Sequence, residues 1–155
     1  MTGLYADGTS VTPERSQAEI MGLLRKYGAS NFAYGEQHGM AIIGFTAHAR
    51  SVRFTLPLPT DPAAYRRTPS GRTRDAKAAQ AALDAEHRRR WRALALAIKA
   101  KLEVVETGIS SFEAEFLAHI VLPGGATVGD EVLPKVDQAY LTGAAPTLLA
   151  IGPGQ

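Results

Sequence analysis

The chain has 155 residues, 45% hydrophobic and 21% charged, with a formal net charge of +2, so a single domain over residues 1–155 with a real core is expected. It contains no cysteine, which excludes a disulfide framework, a thiolate zinc site and a cysteine nucleophile and suits a reducing cytosol. No apolar run approaches the roughly 18 residues that span a bilayer, and MTGLYADGTS at the start has no basic region followed by an apolar one. A cytoplasmic location without a membrane partner follows as an expectation.

The first 11 residues read as a tail. Thr12-Pro13-Glu14 then reads as an N-cap, an N1 proline and an acidic first turn. The helix after it runs to about Tyr27, with Ile20, Leu23, Leu24 and Tyr27 on one side, and Gly28 stops it.

Three β segments come next. Asn31–Gln37 places Phe32 and Tyr34 on one face, and His38-Gly39 is a turn. Met40–Ala47 carries Ile43 and Phe45, and a second turn lies near His48-Ala49-Arg50. Ser51–Leu58 alternates Val52, Phe54 and Leu56 with Arg53 and Thr55. This predicts an antiparallel meander with one face under helices and Thr46, Arg53 and Thr55 on the other. Pro57 and Pro59 end it. Residues 60–73, TDPAAYRRTPSGRT, form a basic loop with no regular structure of its own.

Arg74–Glu106 holds neither Pro nor Gly and is dense in strong helix formers. Leu83, His87, Trp91, Leu94, Ile98, Leu102 and Val105 step by three or four residues along its core-facing side. At about 100° per residue, Arg74, Lys77, Arg88, Arg92 and Lys99 fall in a band on one flank. Thr107-Gly108 ends the helix. Ser110 or Ser111 caps another through about Val121, which Leu122-Pro123-Gly124-Gly125 breaks, and a shorter helix spans about Val128–Tyr140 around Pro134. Residues 141–155 are a tail whose Leu148-Leu149-Ala150-Ile151 could dock on a neighbour. The fold class is therefore α+β, ordered α-β-β-β-α-α-α.

Charge is segregated along the chain. Residues 50–101 hold 13 Lys/Arg against 4 Asp/Glu, whereas the rest holds 4 against 11. Either the acidic part packs against the basic helix, or a positive surface awaits an anionic partner. Arginine suits phosphate through its bidentate fork and lysine as a point charge. The candidate phosphate or nucleic-acid contacts are Arg53, Tyr65, Arg66, Arg67, Arg72, Arg74, Lys77, Arg88, Arg89, Arg92 and Lys99, with Tyr65 as a stacking ring. Trp91 also offers a ring, but its periodic position favours a core anchor.

Other chemistry finds less support. Glu115 and His119 are four apart and could share a metal on a helix face, but a third ligand is not evident. The four histidines are scattered, and no Walker loop, dinucleotide fingerprint or Gly-x-Ser-x-Gly elbow occurs. Neither a cofactor nor a catalytic residue is expected.

The stretches YGASNFAYG, VRFTLPLP, RRRWRALALAIKAKLE and FEAEFLAHIVLPGGATVG resemble a family of small uncharacterised proteins of bacteriophages and prophage-like elements from actinobacteria and proteobacteria. The resemblance covers about residues 5 to 140. It implies a phage origin and action inside a bacterial host cell, and brings no catalytic residue. The element order is also similar to that of phage single-strand annealing cores and of double-stranded-RNA-binding domains, at the level of fold alone.

Three functions stand as expectations. The first is a non-enzymatic nucleic-acid binder, single-strand binding and accessory to replication or recombination. The second is a counter-defence protein that sequesters a nucleotide immune signal or blocks a host defence protein. The third is an enzyme acting on phosphates through Glu115 and His119. Self-association into a homo-oligomer is also expected, because the long helix carries more apolar surface than three strands can cover.

Overall fold

In the computed structural model, which describes residues 6–147, an α+β fold takes the expected order. Helix α1 (Pro13–Lys26) starts where Thr12 accepts a hydrogen bond from the Arg15 amide and Pro13 opens the first turn. It stops at Tyr27, one residue before the left-handed Gly28.

Strands β1 (Ser30–Gln37), β2 (Met40–Ala47) and β3 (Arg50–Pro57) form an antiparallel sheet in the order β1-β2-β3. Both connections are two-residue turns with positive φ at both positions, His38-Gly39 and His48-Ala49. That geometry matches the right-handed twist of the paired strands. Gly39 is required twice over: its φ is 73°, and a Cβ there would lie 2.9 Å from the Leu58 carbonyl oxygen. β1 carries a bulge at Asn31, where the register slips between Ser30↔Thr46 and Ala33↔Gly44.

Helix α2 (Ala76–Glu106) begins two residues later than its composition predicts, because the Asp75 side chain caps the Ala78 amide. At 31 residues it is about 46 Å long. It buries Ala79, Leu83, Trp91, Ala95, Ile98 and Leu102. Leu94 and Val105 are half-buried against the core. His87 is half-buried too, with Nε2 2.6 Å from the Pro59 carbonyl oxygen. α1 packs along α2, and both cover the sheet face that presents Ile43, Phe45, Val52 and Phe54. The buried seam of α2 is thus covered within the chain, so it gives no reason for self-association.

The C-terminal third departs from expectation. Ser111 caps helix α3, but α3 (Phe112–Phe116) ends five residues short of Val121 and tightens into a 3-10 turn at Leu117–His119. Strand β3 captures the next two residues: Val52 bridges Ile120, and the Val121 amide donates to the Ser51 carbonyl at 2.8 Å. Phe112 and Phe116 close the core against Phe45 and Phe54. Helix α4 (Val128–Thr142) opens on a capping box between Thr127 and Asp130 and runs through Pro134. It touches the body mainly through the 3-10 turn, with Gly129 beneath the Ala118 carbonyl. The proposed docking run Leu148–Ile151 lies outside the described residues.

Candidate functional site

The segment between β3 and α2 is built rather than structureless. Asp61 caps a 3-10 turn, Pro62–Tyr65, by accepting the Ala63 amide at 2.9 Å. Arg67 then bridges Thr73, and the Thr68 amide donates to the Arg72 carbonyl at 2.8 Å around the left-handed Gly71. Arg74 clasps the loop. Its Nη1 donates to the Tyr65 carbonyl at 3.0 Å and, more loosely, to that of Arg67 at 3.4 Å. Two α2 residues fix the strand end that feeds this loop: His87 at Pro59, and Arg90, whose Nη1 donates to the Pro57 carbonyl at 2.6 Å.

Between this loop and α2 lies a cleft of about 610 Å³. Tyr65, Arg67, Thr68 and Arg74 form one wall, and Gly8 and Thr9 form another. Ala82, Ala85, Glu86, Arg88 and Arg89 of α2 line the floor, where the two alanines leave the room. Burial keeps the α2 arginines half-covered, yet their donors are not equally committed. Among the described residues Arg88 makes one long hydrogen bond, Nε to the Thr9 carbonyl at 3.4 Å. Arg67 is exposed at the mouth. Arg89 is held by Glu86 through two hydrogen bonds, Nε to Oε2 at 2.8 Å and Nη2 to Oε1 at 2.5 Å, with Asp7 at 3.7 Å. Hydrogen bonding from Arg89, then from Arg90, holds the Glu86 carboxyl below its usual pKa despite burial, so it stays charged. Among the described residues the cleft is therefore lined by four guanidinium groups and one carboxylate.

Five of the eleven candidates meet here: Tyr65, Arg67, Arg74, Arg88 and Arg89. Arg66, Arg72 and Lys77 are exposed on the same loop and at the start of α2, and do not line the cleft. The remaining three are elsewhere. Arg92 pairs with Glu19 of α1 at 2.5 Å and ties the two helices. Arg53 lies on the open sheet face, 3.6 Å from Asp130. Lys99 is exposed three turns beyond Arg88. The flank of α2 is thus not one continuous free cationic stripe: α1 covers part of it and the chain's own carboxylates neutralise Arg89, Arg90 and Arg92.

Trp91 is fully buried, its ring tilted against that of Tyr34 with centroids 6.0 Å apart, so it is a core anchor and no stacking platform. Glu115 and His119 do not share a helix face, because α3 stops at Phe116. The His119 ring stacks on Phe54 at 4.0 Å, and burial, then the Lys101 charge, push its pKa down. Among the described residues no group of three or more His, Asp or Glu is placed to hold a metal ion. No helix among them is long and apolar enough to cross a membrane.

Sequence reasoning misses the contribution of Asp7 and Thr9, because tail residues carry no pattern that ties them to a helix 80 residues away. It also treats Glu86 as a generic partner for the arginines. The Glu86–Arg89–Arg90 spacing, three and four residues, is the signal that one carboxylate serves two arginines. Comparison with protein-family models, curated proteins and solved structures returns no match.

Proposed function

We propose that this chain is a non-enzymatic binder of nucleic acid that grips phosphates of a single strand in the cleft between the 60–74 loop and α2. The observation that carries this reading is the convergence of Tyr65, Arg67, Arg74, Arg88 and Arg89 on one concave surface. Arg67 and Arg88 supply the least committed guanidinium donors, and Tyr65 borders the groove as a stacking ring. Exposed Arg66, Arg72 and Lys77 extend the positive field beyond the mouth and steer a polyanion toward it. With Arg92 and Arg53 paired, the grip is short, a few phosphates rather than a long track. In the phage setting that the resemblance implies, this is an accessory role in replication or recombination.

Fluorescence anisotropy with a short single-stranded oligonucleotide tests it. Neutralising roughly three phosphates gives a slope of log K against log salt of about −2. Absence of binding at low salt rejects the reading. A second reading, capture of a compact nucleotide by a counter-defence protein, is favoured by the cleft's size, since small-molecule sites span about 300–1,000 Å³. Saturable binding of a mononucleotide or cyclic dinucleotide that a long strand does not displace selects this second reading.

A further inference from the structure

The two edges of the sheet are treated differently. At β3 both ends of the outward edge are covered: the Ser51 carbonyl accepts the Val121 amide, and the Pro57 carbonyl accepts Arg90, which leaves Thr55 between them open. At β1 the outward edge has no such cover among the described residues. Gln37 and Met40 close a two-residue turn, so the alternation of an antiparallel ladder points the N–H and C=O of Tyr34 and Glu36 away from β2. Among the described residues no backbone group receives them. The strand, SNFAYGEQ, also lacks the Lys and Pro that guard exposed edges.

Beside this edge lies an apolar slot of about 180 Å³ between α1 and β1, lined by Ile20, Met21, Phe32, Tyr34 and Ile43. Charge around it is arranged end to end. Glu14 sits in the first turn of α1 and Arg25 in the last, about 16 Å apart. The Arg25 guanidinium lies over the Phe32 ring at 5.2 Å, while Glu36, at the other end of β1, accepts from the Tyr34 hydroxyl at 3.0 Å. Among the described residues neither Glu14 nor Arg25 forms an ion pair. Acid at one end and base at the other is self-complementary under a two-fold axis.

We propose that β1 is the docking edge for a second copy of this chain, paired antiparallel about Tyr34 to give a continuous six-stranded sheet. A two-fold axis normal to the sheet keeps both α1 helices on the same side, running antiparallel. Glu36 of each copy then lies opposite Phe32 of the other, beside Arg25, and Glu14 faces that same Arg25. The second copy closes the slot. This assembly does not depend on the phosphate cleft.

Light scattering on the full chain across micromolar concentrations reads the mass, and amide hydrogen exchange reads the edge. The expected results are a dimer and concentration-dependent protection of the Tyr34 and Glu36 amides. Glu14→Arg alone weakens the dimer by about tenfold, through two lost pairs and two like-charge contacts, and Arg25→Glu weakens it further because Glu36 of the other copy loses its partner as well. The double variant recovers only part of the loss, because Glu36 of the other copy still meets a like charge at position 25, and circular dichroism confirms that each variant is folded. A monomer throughout overturns the proposal. So does a dimer whose Tyr34 and Glu36 amides exchange at the monomer's rate, or one indifferent to both charge reversals.

Discussion

Replacing Glu86 by Gln separates a binding cleft from a purely structural arginine cluster, because the two roles predict different pairs of outcomes. The Glu86 side chain is 14% exposed and serves both Arg89 and Arg90. Hydrogen bonds to charged groups contribute about 1.5–3 kcal/mol each. Arg89 and Arg90 are about a third exposed, so solvent screens the ion pairs, and the Gln carbonyl retains one acceptor. The net loss of stability is therefore about 1–2 kcal/mol. Binding moves the other way. For a phosphate taken to lie about 8 Å from Glu86, at an effective dielectric near 40, removing the one negative charge favours the anion by about 1 kcal/mol, or about fivefold in affinity. Urea denaturation and oligonucleotide anisotropy on the same variant measure both. Lower stability with unchanged or weaker binding refutes the assignment of this cleft to an anion.

Three further outcomes follow from the packing. Trp91→Ala empties the fully buried centre of α2 and costs about 3–5 kcal/mol, read by chemical denaturation. Gly129→Ala drives a Cβ to 2.9 Å from the Ala118 carbonyl oxygen, so α4 shifts or loosens at a cost of about 1–3 kcal/mol, seen as faster amide exchange in α4 while α2 stays protected. His119 has a folded-state pKa below its ordinary value of 6.5, so the unfolded chain binds the proton more tightly. Its contribution is complete above pH 6.5 and is lost as pH falls toward the folded-state pKa. His119→Gln removes this component from a plot of stability against pH; an unchanged acid limb contradicts the burial argument.

Local signals make most of the fold legible. Thr12-Pro13 and Gly28 bracket α1 because capping and φ are properties of single residues. The period-two pattern of Val52, Phe54 and Ile43, Phe45 marks the sheet and its buried face, and the spacing of Leu83, Trp91, Ile98 and Leu102 marks the core side of α2. Failures come where a distant partner overrides local preference. Residues 117–121 read as helix, yet the vacant edge of β3 draws Ile120 and Val121 out of it. The candidate site is legible as a composition of arginines around Tyr65, not as geometry. Helical angle alone puts Arg88 and Arg92 on one flank, but which of them meets Glu19 depends on where α1 lies. The 60–73 loop reads as unstructured because its order rests on Arg74 and Asp61 reaching backbone groups, contacts that leave no periodic trace.

Binding of a single-stranded oligonucleotide at low salt, compared between the wild-type chain and an Arg67→Ala/Arg88→Ala variant, reaches the phosphate cleft most directly. Both side chains lie outside the core and outside every ion pair among the described residues, so the variant keeps the fold. Loss of two phosphate contacts predicts affinity down by at least about tenfold and a salt slope shallower by about 1.4. Equal affinity and equal slope for the two proteins contradict the placement of the phosphate grip in this cleft.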